Sequence, residues 1–171
     1  VHVWEGAFFR IEDYLDRFEV SMKKMRLDVG MDRSAIRNAL IELVATSGLQ
    51  SAYVSMVASR GTPLIPGTRD PRGCRNHFYA WAVPFIWVIP EAVAKRGAHI
   101  SVARDSRRIP SNSVDPTVKN YHWGDMTAAL FQALDAGYDT TVLLDHNNLV
   151  TEGPGFNIFA VINGNVVTPK S

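Results

Sequence analysis

The stretch Asp115-Pro-Thr-Val-Lys119-Asn-Tyr-His-Trp-Gly-Asp125, followed by Val150-Thr-Glu152-Gly-Pro-Gly-Phe-Asn157-Ile-Phe, decides the reading of this chain. It sets one lysine just ahead of an amphipathic segment and one glutamate at the end of a short apolar run. Taken alone such a pair is uninformative, because surface lysines and turn glutamates are common. The flanking sequence is what makes it specific. Residues 120–136 read as a helix whose apolar face includes Trp123, Leu130, Phe131 and Leu134, and Gly137 ends it. Residues 141–144 are a strand, and 145–148 turn the chain into 149–151. Residues 157–162 and 165–168 form a hairpin across Asn163-Gly164, the dipeptide favoured in type I′ turns.

Towards the start, residues 12–27 read as a helix, with Leu15, Phe18, Met22 and Met25 recurring on one face. Lys23, Lys24 and Arg26 complement its C-terminal dipole, and Gly30 breaks it. Asp32 N-caps a second helix through Ser47, with Ile36, Leu40, Leu43 and Val44 inward and Gly48 as the stop. Residues 52–59 alternate as a half-buried strand, and 61–76 are a loop rich in Gly, Pro, Arg and Asp. Residues 77–89 are a strand in which Pro84 demands an edge position or a bulge. A short helix or connector follows at 90–97, then a strand at 100–104 and a polar loop at 109–118. The expected fold class is α/β in two parts. A small α+β part spans 1–89, the connector spans 90–97, and 98–171 belongs to a larger mixed β/α part.

Of 171 residues, 46% are apolar, which suffices for one domain or two small ones. A net charge of +1 gives no electrostatic case for nucleic acid or an acidic membrane. The cluster Arg104, Arg107, Arg108 reads as a solvated face or a local carboxylate-binding patch. Cys74 is the single cysteine, so no internal disulfide forms and a reducing, cytoplasmic setting is expected. No uninterrupted apolar run reaches the roughly 18 residues of a membrane span. His2, His77, His99 and His122 lack metal-ligand spacing, and no metal is expected.

Three separate motifs carry a resemblance: Val3-Trp4-Glu5-Gly6-Ala7-Phe8-Phe9-Arg10, residues 115–125, and residues 151–158. In order and spacing they resemble the fold type IV (class IV) pyridoxal-phosphate aminotransferases, most closely the (R)-selective amine transaminases. The resemblance implies a D-amino-acid-aminotransferase-like fold, pyridoxal 5'-phosphate as cofactor and a homodimer that completes each active site. It makes Lys119 the Schiff-base lysine and proton carrier, and sets Glu152 against the ring nitrogen. Arg17 would grip the phosphate, a group suited to a bidentate guanidinium, and Phe156 and Asn157 would complete the cofactor-binding set. Chemistry agrees: a Schiff-base lysine must lose its proton, which a helix start nearby would favour, and a carboxylate keeps the ring electron-poor. Glycines 153 and 155 would let the backbone approach a flat ligand closely.

By the same resemblance Tyr121, Trp123 and Phe156 line the substrate pocket, where aromatic walls favour apolar amines. Pro66 stands where relatives carry the arginine that recognises a keto-acid carboxylate, so Arg69 or Arg72 takes that role. The remaining phosphate-binding turn of the family, Gly-Ile/Val-Thr, would follow Ser171, and the chain reads as the middle of a larger protein. The expected reaction moves an amino group from an (R)-amine or D-configured donor to a 2-keto acid such as pyruvate. The rivals are a branched-chain or D-amino-acid aminotransferase, an aminodeoxychorismate lyase, and a non-catalytic remnant.

Overall fold

In the long strand that begins at Ala52, alternate side chains turn to opposite faces, and the buried Ala52 and Val54, with the partly buried Met56, pack into the core that the helices share. The computed structural model describes residues 1–170. It divides into two compact units, Val1–Ile86 with Thr117–Lys119, and Trp87–Pro116 with Asn120–Ser171. Lys119 therefore groups with the first unit, whereas the sequence reading set it in the second part.

The first unit begins with β1 (His2–Trp4) and β2 (Ala7–Phe8), then α1 (Ile11–Met25) and α2 (Arg33–Ser47), then β3 (Ala52–Pro63) and β4 (Cys74–Pro84). The four strands form one antiparallel sheet in the order β2-β1-β3-β4. Leu15, Ile36, Leu40 and Val54 are essentially sealed from water between helices and sheet, with Phe18, Met22 and Phe78 packed around them. Burial of this kind contributes on the order of 2 kcal/mol per large side chain. The Asp32 side chain accepts from the Ala35 N–H at 2.7 Å and caps α2, and Gly48 closes it at φ 69°.

α1 ends two residues earlier than expected. Arg26 takes a left-handed conformation (φ 53°), and the Leu27 N–H reaches the Met22 carbonyl at 2.9 Å, so the helix is wound shut before Gly30. Met25, expected inward, is exposed as a result. The loop expected from 61 to 76 is shorter than the sequence suggested, because β3 and β4 continue to Pro63 and from Cys74. A register shift between Ser59 and Thr62 hides this continuity from a period-two reading. Gly61 sits there at φ +70°, and a Cβ would meet the Arg75 carbonyl oxygen at 1.8 Å. β4 is the edge strand that Pro84 requires, but it stops at Pro84 instead of reaching residue 89.

The second unit contains α3 (Glu91–Arg96), β5 (Ile100–Arg107), α4 (Gly124–Asp135) and β6 (Thr140–Leu144). β5 and β6 pair in parallel, with α4 as the crossover that such a pair needs. Two short hairpins follow: β7 (Glu152–Gly153) with β8 (Phe156–Asn157), and β9 (Ala160–Ile162) with β10 (Asn165–Val167). Asn163 and Gly164 both have positive φ, as the type I′ turn demands.

α4 differs from its expectation in start and in face. It begins at Gly124, not 120, and it buries the small face Met126, Ala129 and Ala133. Phe131 and Leu134 are 63% and 50% exposed, so the large residues that the periodicity turned inward face out. A parallel β-α-β unit packs its helix close to the sheet, and alanines allow that approach where Phe131 would not. No helix among the described residues is long and apolar enough to cross a membrane.

Gly61→Ala is expected to cost about 2–4 kcal/mol, from overpacking and left-handed strain together. Gly67→Ala, at φ +83° with open space around it, should cost only the strain. Chemical denaturation of both variants checks this, and equal losses would refute the close-approach account of Gly61.

Candidate active site

In the first unit, the segment that carries Lys119 is fastened along one face of α1. The Ser21 hydroxyl accepts from the Lys119 backbone N–H at 3.4 Å, and Lys24 Nζ donates to Thr117 Oγ1 at 2.6 Å. Ser21 is one of the few buried polar residues of the unit, and Val118 is 5% exposed. The Lys119 side chain itself is exposed. Arg17 lies one turn before Ser21 on the same face of α1 and is exposed. It does not pair with Asp13, because Asp13 is held by Arg10 at 2.8 Å. Thus Arg17, Ser21 and Lys24 share one helix face with the lysine segment. Ser21 had no sequence signal beyond being a small polar residue in an apolar stripe.

Arg69 and Arg72, the two candidates for carboxylate recognition, have different surroundings. Arg72 is clamped onto Asp70, through Nε at 2.9 and 3.0 Å and Nη2 at 2.6 Å. That pair holds the Asp70 carboxyl below its ordinary value. Arg69 is exposed and makes no ion pair among the described residues. A cleft of about 480 Å³ lies nearby, lined by residues including Arg26, Arg60 and Cys74. It holds none of the residues that sequence assigned to the site except Arg72, and Arg60 is spent on the last carbonyls of α1.

In the second unit, Glu152 lies at the start of β7, 35% exposed, and its Oε1 accepts from Arg108 Nε at 2.9 Å. Arg108 Nη1 donates to Asp125 Oδ2 at 2.6 Å. The same Asp125 oxygen accepts from the Ile109 N–H at 2.8 Å, while Oδ1 accepts from the Met126 N–H at 2.8 Å. Arg108 and Asp125 are 16% and 14% exposed. Of the two readings open for the Arg104 to Arg108 cluster, carboxylate binding describes Arg108. Arg107 instead holds backbone carbonyls of β5 and Asn148.

Burial pushes the Asp125 carboxyl up, but the Ile109 and Met126 N–H groups and Arg108 outweigh it and hold it below its ordinary 3.8. Two carboxylates and one guanidinium leave this half-buried cluster with one negative charge in excess. Such a site favours a cationic N–H group in reach of Glu152.

The glycines beside Glu152 have a different cause from the one expected. A Cβ on Gly153 would stand 2.1 Å from the Phe156 ring, so Gly153 makes room for the protein's own aromatic. Gly155 turns the chain at φ +87°, following Pro154 as in a type II turn. Phe156 is half-buried, and Asn157, opposite Glu152 in the ladder, is exposed. Tyr121 is 72% exposed and Trp123 38%. The helix start is not next to Lys119 in the chain as expected: α4 begins at Gly124, five residues after it, and Asp125 Oδ1 accepts from the Met126 N–H in the first turn.

A family model described as amino-transferase class IV matches residues 1–171. The chain belongs to the class IV aminotransferases. This class IV chain is 29% identical over 170 residues to a protein of Methanocaldococcus jannaschii provisionally named a branched-chain-amino-acid aminotransferase, covering 99% of the chain and 57% of the relative. The branched-chain aminotransferase of Thermoproteus uzoniensis, solved with norvaline, matches at a TM-score of 0.82 and 27% identity, over 98% of this chain and 56% of that one. The T.th. branched-chain amino acid aminotransferase, solved with pyridoxamine 5'-phosphate, matches at 0.84 and 24% identity, over 98% and 56%, and shows the fold. The chain thus spans little more than half the length of these relatives.

The lowered carboxyl of Asp125 makes a pH prediction. A group whose folded value is depressed contributes stability above its unfolded value and loses it as pH falls through the folded one. Asp125→Asn is expected to lower the unfolding temperature at neutral pH and to flatten its decline below about pH 4. Thermal melts in a pH series would show this; an acid limb as steep as that of the unaltered protein would argue against it.

Proposed function

We propose that this class IV chain carries the lysine and the ring-nitrogen carboxylate of a pyridoxal 5'-phosphate-dependent aminotransferase whose donor is a branched-chain amino acid. The observation that carries the cofactor reading is the half-buried Asp125–Arg108–Glu152 cluster, whose excess negative charge suits a protonated pyridine nitrogen. Membership of the family and relatives named for branched-chain substrates support the donor. When bound, the cofactor supplies an aldehyde that bonds amines and a ring that takes up the electron pair left at the donor carbon.

In this reading Lys119 Nζ would hold the cofactor through its aldehyde and, as an amine, would carry the proton between the donor carbon and the adjacent cofactor carbon. Ser21 and Lys24 hold its segment, and Glu152 keeps the ring nitrogen protonated. Arg17, exposed and with no acid paired to it among the described residues, is available to a phosphate. Phe156 and Asn157 follow Glu152 on β8, and Tyr121 and Trp123 offer aromatic walls to the substrate. Arg69 takes the keto-acid carboxylate, because Arg72 is already clamped to Asp70. We extend the proposal to a homodimer in the cytoplasm.

A second reading, transfer from an (R)-amine or D-configured donor to a keto acid such as pyruvate, rests on a specific observation. Asn120-Tyr121-His122-Trp123 follows the lysine, and Phe156 precedes Asn157, as in the motifs of (R)-selective transaminases. A panel of L-leucine, D-alanine and (R)-1-phenylethylamine with the complete protein separates the two. Activity with L-leucine alone is expected, and activity with (R)-1-phenylethylamine but not L-leucine would replace the first reading by the second. Pyruvate release without any amino acceptor would point to a lyase. Lys119→Ala should abolish turnover with every donor.

Arg69→Ala is expected to raise KM for the keto acid at least tenfold with a smaller change in kcat, while Arg72→Ala changes KM less than threefold. Equal effects would remove Arg69 from the proposed role.

A further inference from the structure

We propose that Arg108 is a positioning residue for Glu152 and that Asp125 keeps it aimed, so that the last residue of the 115–125 motif serves the ring-nitrogen carboxylate from a distance. The inference rests on the function proposed above and gives separate tasks to Arg108 and Asp125, which enter that reading only through the net charge of their cluster.

The geometry is specific. Arg108 follows directly on β5, and its backbone N–H donates to the Leu144 carbonyl at the end of β6 at 2.8 Å. Its main chain is therefore fixed before its side chain does anything. The guanidinium then faces two acids with separate edges, Nη1 to Asp125 and Nε to Glu152. Asp125 is itself immobilised by three donors: Arg108, Ile109 N–H and Met126 N–H. It cannot follow a moving arginine, so it acts as the fixed post.

Glu152 is the less constrained partner, on a strand of two residues and with about a third of its side chain exposed. Arg108 occupies Oε1 and leaves Oε2 without a protein donor among the described residues. One carboxylate oxygen is thus anchored and the other is presented. A guanidinium does this better than an ammonium, because its edges lie in a fixed plane. Arg108 divided between two acids also leaves Glu152 with enough net negative charge to attract a cationic N–H. An arginine serving Glu152 alone would cancel that charge.

The test uses the complete protein and a pair of non-covalent ligands: pyridoxamine 5'-phosphate and its 1-deaza analogue, in which CH replaces the ring nitrogen. Dissociation constants are read by fluorescence titration, and near-UV circular dichroism of each ligand-free variant reports folding. The unaltered protein is expected to prefer the nitrogen-bearing ligand about tenfold or more, as a charge-assisted hydrogen bond implies. Arg108→Leu should weaken that ligand about tenfold and the deaza analogue less than twofold, so that the preference collapses. Arg108→Lys, a smaller disturbance of the fold, should restore part of it.

A merely structural arginine would weaken both ligands alike. That result, or a preference that survives in both variants, overturns the proposal. If the unaltered protein binds neither ligand, the assignment of the cofactor fails first and this inference falls with it. If it binds both equally, the role of Glu152 fails before any variant is made.

Discussion

A guanidinium withdrawn from water is tolerated only when its donors are matched by acceptors, and leaving one carboxylate of such a cluster without its partner costs more than the pair contributes. The second unit is organised around meeting that condition for Arg108. Its backbone joins the end of β5 to β6, its side chain joins the first turn of α4 to the first residue of β7, and Asp125 adds the Ile109 N–H. Four elements far apart in sequence meet at this one residue. The hydrophobic contacts of this unit are few and small by comparison: Ala103, Met126, Ala129 and Leu143. A site held by charge-assisted hydrogen bonds between strand and helix ends is more sharply oriented than one held by non-directional packing.

The first unit solves a different problem. The proposed role of Lys119 calls for an accessible amine on a main chain that does not wander. Val118 is buried and Ser21 accepts from the Lys119 N–H, so the backbone is pinned while the side chain stays accessible. The same helix carries Arg17 a turn away, so one rigid element bears Arg17 and fastens the segment of Lys119. α1 is in turn held to α2 by packing of Leu15 against Ile36 and Leu40, and by Arg33, which reaches Glu12, Asp16 and Glu19. Those ion pairs are exposed and screened, so the apolar seam does most of the holding.

Much of this is legible in the order of the residues alone. The Asp32 cap, the Gly48 stop, the inward stripe of α2 and the Asn163-Gly164 turn each follow from local chemistry, and the family motifs point to Lys119 and Glu152. Other features depend on partners that no local rule names. The bulge at Gly61 scrambles the alternation and hides the length of β3. The inward face of α4 is set by the close approach of β5 and β6, which favours Ala129 and Ala133 over Phe131. Gly153 reads as a ligand-facing glycine, yet it is the ring of Phe156 that it accommodates. Arg108 can be read as a solvated charge or a carboxylate partner, and only the folded chain identifies which carboxylates. Ser21 gives no hint of its contact, because its partner lies 98 residues away.

The irregularity at Gly61 has a consequence for how this architecture diversifies. Because the two strands regain their pairing at Thr62 with Arg75 and Pro63 with Cys74, the tip beyond them hangs from a self-contained clasp. Length and composition between residues 64 and 73 can drift while the ladder below keeps its alignment. The tip is thus an interchangeable part, which can change without renegotiating the apolar interior that keeps the unit folded.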